Sequence, residues 1–485
     1  MSTPAATTAS SDLWRWSATA LLDAIRRGEV SVTEVVSAHL DRAAVVNPSV
    51  NALVEVSADE ALDSARALDA ASPQSRTGLL HGVPTVVKDN TDQAGHRNTN
   101  GIAAAAGNVA AQDASVVAAM RAHGAVFVGR SNLPAFGLRW FSENDLFGRT
   151  LNPWTKDRTP GGSSGGAAAA VATGMVPVAH ANDIGGSIRY PAAMCGVTGI
   201  RPTVGRVPKW AAPSPVNLAP SLAETVMAVE GPIARHVSDL RVALEAMSRY
   251  DPRDPASLPV PYRDEPPLGA GARVTVVREV PGVQTCAAAL DAIEKAAGWL
   301  KEAGYEIVEH DVPEIAEAHR LWQLLLFEEL RPATAEFAAR GGEQLHESLL
   351  NSFAIAEPVW GPAPTLEDFM HGYTRRNELL SRLETRFLDA PLLLTPASAA
   401  LAPLHGADHG PVDAAKALMD AQWPMTFVPC LGLPGATVPT GIVDGLPTSV
   451  QLVGGRFRES WILDAAQAIE DRAGVITPID PFPTS

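Results

Sequence analysis

Cysteine is scarce in this chain. Cys195, Cys286 and Cys430 are the only three in 485 residues. They are odd in number, far apart and outside any CxxC pair. A disulfide framework or paired-thiol metal site is therefore excluded, and a reducing, cytoplasmic setting is expected. Positive charge is also in short supply. Lys and Arg total 38 against 54 Asp and Glu, a formal net charge of −16. No long basic block is present, so a nucleic-acid partner is not expected. The 12 histidines show no HExxH or similar spacing, and no metal is expected. Long lipid-compatible runs are missing too. Residues 159–182 carry no formal charge but contain Pro160, Pro177, five glycines and two serines, so they read as a buried segment rather than a span. The first residues, MSTPAATTASSDLW, lack the cationic start and apolar stretch of a signal peptide.

What is present is material for a large core. Apolar residues make up 46% of the chain, and the mean hydropathy is +0.03. Leu21, Leu22 and Ile25 share a helical face that Gly28 stops. Ser31-Val32-Thr33-Glu34 has capping-box spacing, and Pro48 is expected to end the helix that follows. A second helix is expected from a cap at Asp113 to Gly124, with a strand at 125–128. Near the C-terminus, strands at 435–443 and 448–453 flank the hairpin signal Asp444-Gly445. Alternating helices and short apolar runs predict an α/β fold with much of the sheet internal. Residues 205–270, rich in turns, read as an excursion outside the core. Residues 284–380 read as helices, with an apolar cluster of Leu321, Trp322, Leu324, Leu325, Leu326 and Phe327 that Gln323 interrupts. No fixed repeat or linker is visible, so one large domain spanning 1–485 is expected.

Residues 161–199 stand apart. Nine of these 39 residues are glycine, and Asp183 and Arg189 carry the only formal charges. Two Gly-Gly-Ser turns place Ser163 and Ser187 on tightly turned backbone in poorly charged surroundings. An alanine-rich helix follows the first turn at once, which a flexible linker would not need. Upstream, Gly82-Val83-Pro84-Thr85-Val86-Val87-Lys88 sets a lysine directly after an apolar run. A buried lysine loses charge and becomes a competent base, and a serine hydroxyl needs such a base to attack a carbonyl.

Lys88-Asp89-Asn90, GGSSGG at 161–166 and DIGGSIRYPAAMCGVTGIRPT at 183–203 resemble the amidase signature family. GRSNLPAFG (129–137), NPWTKDRTPGG (152–162), DAPLLLTPAS (389–398) and PTSVQLVGGRF (447–457) extend the resemblance. The signature core is expected over about 75–205 and 385–460, with variable helical insertions at about 205–270 and 284–380. The resemblance implies an α/β fold with a large mixed central sheet covered by helices on both faces. It also implies a Ser–cis-Ser–Lys triad, with Ser187 as nucleophile, Ser163 as bridging serine on a cis peptide, and Lys88 as base. The backbone N–H groups of Ile184, Gly185, Gly186 and Ser187 would then form an oxyanion hole. Asp183 and Arg189 are expected behind the site, holding the loop or forming a purely structural ion pair. Ser164 is expected as a turn donor and Cys195 as packing. The chain departs from the family at His180-Ala181-Asn182, where Gly-Thr or Gly-Ser usually precedes the aspartate, so Asn182 should alter the hydrogen bonds around the relay.

The implied activity is hydrolysis of linear C–N acyl bonds in carboxamides, anilides or carbamates through an acyl-enzyme, with esters cleaved as a side reaction and no cofactor. The partner is a small amide or carbamate, and a homodimer is compatible with the resemblance. The alternative is the glutaminase-type subunit of a tRNA-dependent amidotransferase, which commonly carries Gln where this chain has Tyr190. A G-x-S-x-G hydrolase elbow at 161–165 would need a strand at 152–160, and two prolines argue against one there. Aromatic residues in the variable segments are expected mainly as core. Trp140 and Phe141 are the candidates for substrate contact.

Overall fold

The computed structural model describes residues 10–72, 76–214, 216, 220–263 and 265–483. The polar stretch 1–9 lies outside the described residues. Three sheets organise the chain. β1 (Leu53–Val56), β2 (Pro84–Lys88) and β3 (Val126–Ser131) form one, with β3 in the middle, antiparallel to β1 and parallel to β2. β4 (Glu143–Asn144) and β5 (Gly148–Arg149) make a small ribbon.

The main sheet has eight strands: β6 (Val178–Asp183), β7 (Thr198–Arg201), β8 (Val229–Ala234), β9 (Arg273–Val276), β10 (Glu306–Val308), β11 (Leu392–Pro396), β12 (Gly435–Val443) and β13 (Leu446–Gly454). Their order is β10-β9-β11-β13-β12-β7-β8-β6. The first three are mutually parallel and the remaining pairings are antiparallel. β7, β8, β11 and β13 are buried along their whole length, and the buried polar side chains they carry, such as Arg201 and Gln451, are hydrogen-bonded in the interior. The edge strand β6 meets β2, where the Lys88 N–H donates to His180 Nδ1 at 3.3 Å.

Several boundaries differ from the sequence-based expectation. The helix capped by Ser31 and Glu34 runs to Val50, two residues past Pro48, whose missing N–H costs a single i→i−4 bond; Asn51 closes it in the left-handed region, donating to Asn47 O. Asp113 does not cap the next helix, which spans Ser115–Ala122. Its carboxylate instead accepts from Ala94 N–H and pairs with Arg121. The segment 205–270 is not an excursion throughout, because β8 lies between β7 and β6 and the helix Val237–Met247 buries its apolar face. Within 284–380, β10 interrupts the helices. Gln323 breaks no stripe, because the helix Pro313–Leu330 is buried around most of its circumference and Gln323 meets His319 there. Asp444 and Gly445 both have positive φ, as a tight hairpin requires. Among the described residues, no helix is long and apolar enough to cross a membrane.

Candidate active site

Lys88 is the last residue of β2 and is fully buried. Its Nζ donates to Ser163 Oγ at 2.7 Å and to Asn182 Oδ1 at 2.6 Å. Burial pulls its pKa down to about 7, against the opposing carboxylates of Glu230 and Asp183. Asn182 Nδ2 donates in turn to Asn90 Oδ1 at 3.0 Å, so the amide that accepts the lysine N–H is itself oriented. Behind the lysine, His180 Nε2 meets Glu230 Oε2 at 2.7 Å. Arg130 pairs with Asp89 and donates to the carbonyls of Lys88 and Thr91, which pins the chain leaving β2.

Ser163 follows a cis Gly162–Ser163 peptide. Ser142 Oγ donates to the carbonyls of Gly161 and Ser163 and accepts from the Gly165 N–H, tying this turn to the start of the helix Gly165–Ala172. Ser164 is a turn donor, to Asn182 O. Cys195 is buried, its thiol pushed up by burial and directed at Pro160 O.

Ser187 lies between β6 and the short helix Arg189–Cys195. Asp183 organises the connection. Its carboxylate accepts from Gly186 N–H (2.9 Å), Ile188 N–H (3.2 Å) and both forks of Arg189, and Arg201 reaches it at 3.3 Å. Burial opposes its charge, but the guanidiniums of Arg189 and Arg201 outweigh that and hold it at about 2. Asp183 and Arg189 are thus an ion pair and a loop clamp at once. Gly186 sits at φ +103°, where a side chain would also strike Met425. The Gly186 N–H, expected among the oxyanion donors, is committed to Asp183. Among the described residues, the N–H groups of Ile184, Gly185 and Ser187 have no protein acceptor.

Ser187 opens onto a cavity, as do Gly137, Ile184 and Gly185. Gly137 lies against Ser163, since a Cβ placed on it would come within 3.4 Å of Ser163 Oγ. The structure thus pairs Lys88 with Ser163, and Ser187 opens onto the cavity that Gly137, a neighbour of Ser163, also lines. The cavity wall is aromatic and aliphatic, with Trp140, Trp322, Phe327, Leu349, Ile355 and Met419 prominent. Trp140 and Trp322 stack at 6.0 Å and 23°. Polar residues interrupt this wall: Ser348, Ser352 and the bidentate pair of Arg139 with Asp408 (2.7 and 3.0 Å). Phe141 does not line the cavity: it is 1% exposed and packs edge-on against His405. Trp423 is core as well.

A family model described as Amidase matches residues 34–463. The chain belongs to the amidase family. Similar proteins include an indoleacetamide hydrolase of Bradyrhizobium diazoefficiens, 39% identical over 473 residues that cover 96% of this chain and 88% of that protein. A glutamyl-tRNA(Gln) amidotransferase subunit of Moorella thermoacetica is 33% identical, covering 95% of this chain and 97% of that one. Among solved structures, a bacterial aryl acylamidase of the amidase signature family superposes with a TM-score of 0.78 at 29% identity, covering 95% of this chain and 96% of that one. The fold is the amidase signature fold, and the chain is an amide-cleaving hydrolase.

Sequence reasoning did not find Arg139 with Asp408, which are 269 residues apart and joined only by folding. Nor did it find Glu230, in a stretch expected outside the core, or Arg201, which shares Asp183 with Arg189.

Proposed function

We propose that the chain hydrolyses amides of flat, apolar carboxylic acids, arylacetamides above all, through an acyl-enzyme on Ser187. Ser187 Oγ attacks the carbonyl carbon while its proton passes to Ser163, whose own proton passes to neutral Lys88. Asn182 Oδ1 holds one N–H of that amine, which leaves its lone pair for Ser163. The developing oxyanion accepts from the N–H groups of Ile184, Gly185 and Ser187. When the intermediate collapses, the C–N bond breaks, and the leaving nitrogen regains the proton from Lys88 through Ser163. Water, deprotonated by the same relay, then releases the acid. Carbamates and esters fit the same steps. We take 1–485 as one unit, with β8 included in its core.

The observation that carries the substrate reading is the wall beside Ser187. Its indoles, Phe327 and aliphatic side chains suit a flat ring and offer little to a charged acyl group. The name of the indoleacetamide hydrolase relative points the same way. The glutaminase reading has the Moorella relative in its favour. Against it stand this apolar wall, buried Tyr190 and the net charge of −16. The test is a panel of arylacetamides, short aliphatic amides, glutamine, anilides and carbamates, run on wild type and Ser187→Ala. Arylacetamides should be fastest, and the variant should lose all of them. Glutamine as the fastest substrate, or undiminished turnover in Ser187→Ala, would reject the proposal.

A further inference from the structure

The two cavity indoles do more than wall the pocket. Trp322 Nε1 donates to Ile184 O at 2.8 Å, and Trp140 Nε1 donates to Gly185 O at 2.9 Å. These carbonyls belong to consecutive peptides of the loop that ends in Ser187. In a trans peptide the C=O and the following N–H point in opposite directions. Holding Ile184 O therefore fixes where the Gly185 N–H points, and holding Gly185 O fixes the Gly186 N–H. The second peptide is gripped at both ends, by Trp140 at its oxygen and by Asp183 at its nitrogen. The first is gripped at its oxygen alone, and its Gly185 N–H has no protein acceptor among the described residues. The fit is close: a Cβ on Gly185 would lie 2.6 Å from Trp322 Cζ2. Phe327 meets Trp322 edge-on at 5.5 Å and keeps the ring in place.

We infer that Trp322 is a positioning residue for the Gly185 oxyanion donor, acting through its indole N–H on the Ile184 carbonyl, and that Trp140 braces the next peptide of the same loop, whose N–H Asp183 holds. The inference rests on the proposed acyl-enzyme chemistry at Ser187 but not on the choice of acyl group. Its consequence is a division of labour within each ring. The indole face meets the substrate, and the N–H sets the hydrogen-bond geometry that the tetrahedral intermediate uses.

The test is Trp322→Phe and Trp140→Phe, which keep an aromatic face and remove the donor. A Trp322→Phe/Trp140→Phe double variant completes the set, and thermal melts confirm that each is folded. Each kinetic constant is read on whichever amide wild type turns over fastest. The substrate reading is judged separately, from the wild-type panel alone. Removing a whole oxyanion donor costs about a hundredfold or more in kcat, so loosening one through Trp322 should cost about ten- to a hundredfold, with KM changed less than about threefold. Affinity for the boronic acid that carries the acyl side chain of that amide (benzylboronic acid for phenylacetamide), which forms a tetrahedral adduct on the nucleophile, should fall in parallel with kcat, while affinity for the matching carboxylate should hold. Wild-type kcat in both folded single variants would overturn the inference. So would a rise in KM at constant kcat, which would reduce the rings to substrate contact.

Discussion

At the scale of single residues, the decisive quantity is the charge on one amine. Lys88 is buried without a carboxylate in contact, its Nζ partners being a hydroxyl and an amide oxygen. Its pKa stands at about 7 because desolvation exceeds the pull of Glu230 and Asp183. The base must be neutral to accept a proton. kcat/KM should therefore rise through about pH 7 and level off above it, falling as the amine charges at lower pH. A profile flat from pH 5 to pH 9 would remove Lys88 from the rate-limiting proton transfer. Lys88→Ala should cost about 10²- to 10⁴-fold in kcat/KM, the usual range for general base catalysis, and circular dichroism should show it folded. Ser163 and Ser187 were legible as candidates because glycine pairs flank both, and glycine tolerates tight backbone. The orientation of Asn182 was not, because it depends on Asn90, 92 positions away in sequence.

At the scale of elements, the connection from β6 to the helix Arg189–Cys195 behaves as one braced unit. Asp183 receives two backbone N–H groups and two guanidiniums in the interior, and its side chain and those of Arg189 and Arg201 are all inaccessible to solvent. Removing the one negative charge would leave two buried cations without their counter-charge. Asp183→Asn should therefore destabilise the protein by about 3–5 kcal/mol, measured by urea unfolding, and should lower kcat through the loosened Gly186 peptide. An unchanged unfolding midpoint would show that the charges are compensated elsewhere. Elements also mark where local rules stop. The capping box at Ser31 forms as its residue types require, and the Asp444-Gly445 hairpin closes with the expected φ values. Pro48 did not stop the helix at once, because a proline removes one i→i−4 bond and the residues after it can still bond back; the helix ends two residues later. Asp113 failed as a cap because two neighbours outside its reach as a cap, Ala94 N–H and Arg121, claim its carboxylate.

At the scale of the whole molecule, reacting groups and cavity wall come from different parts of the chain. Lys88, Ser163 and Ser187 sit at strand ends and turns between 84 and 188. Most of the wall comes from helices at 313–360 and 412–421, with loops at 137–140 and 408. The acyl preference should thus change independently of the chemistry. Ser348 lines the cavity from the helix Glu343–Trp360. Ser348→Phe should reduce kcat/KM for arylacetamides at least about tenfold while acetamide hydrolysis stays within about threefold, compared in one competition assay. Equal losses on both substrates would mean that the helix supports the reacting groups themselves.

Residue order alone decided which chemistry this chain can attempt. Two serines in glycine turns, a lysine closing an apolar run and a nearly charge-free segment around the serines are local patterns, because backbone permissiveness and burial tendency are properties of neighbouring residues. Tertiary structure decided how that chemistry is aimed. Trp322 reaches Ile184 across 138 positions and Arg139 meets Asp408 across 269, and Glu230 stands behind His180 because β8 pairs with β6. Such contacts leave no periodicity to read, since a hydrogen bond between distant residues depends on where the sheet and helices place them, not on what stands beside them in the chain.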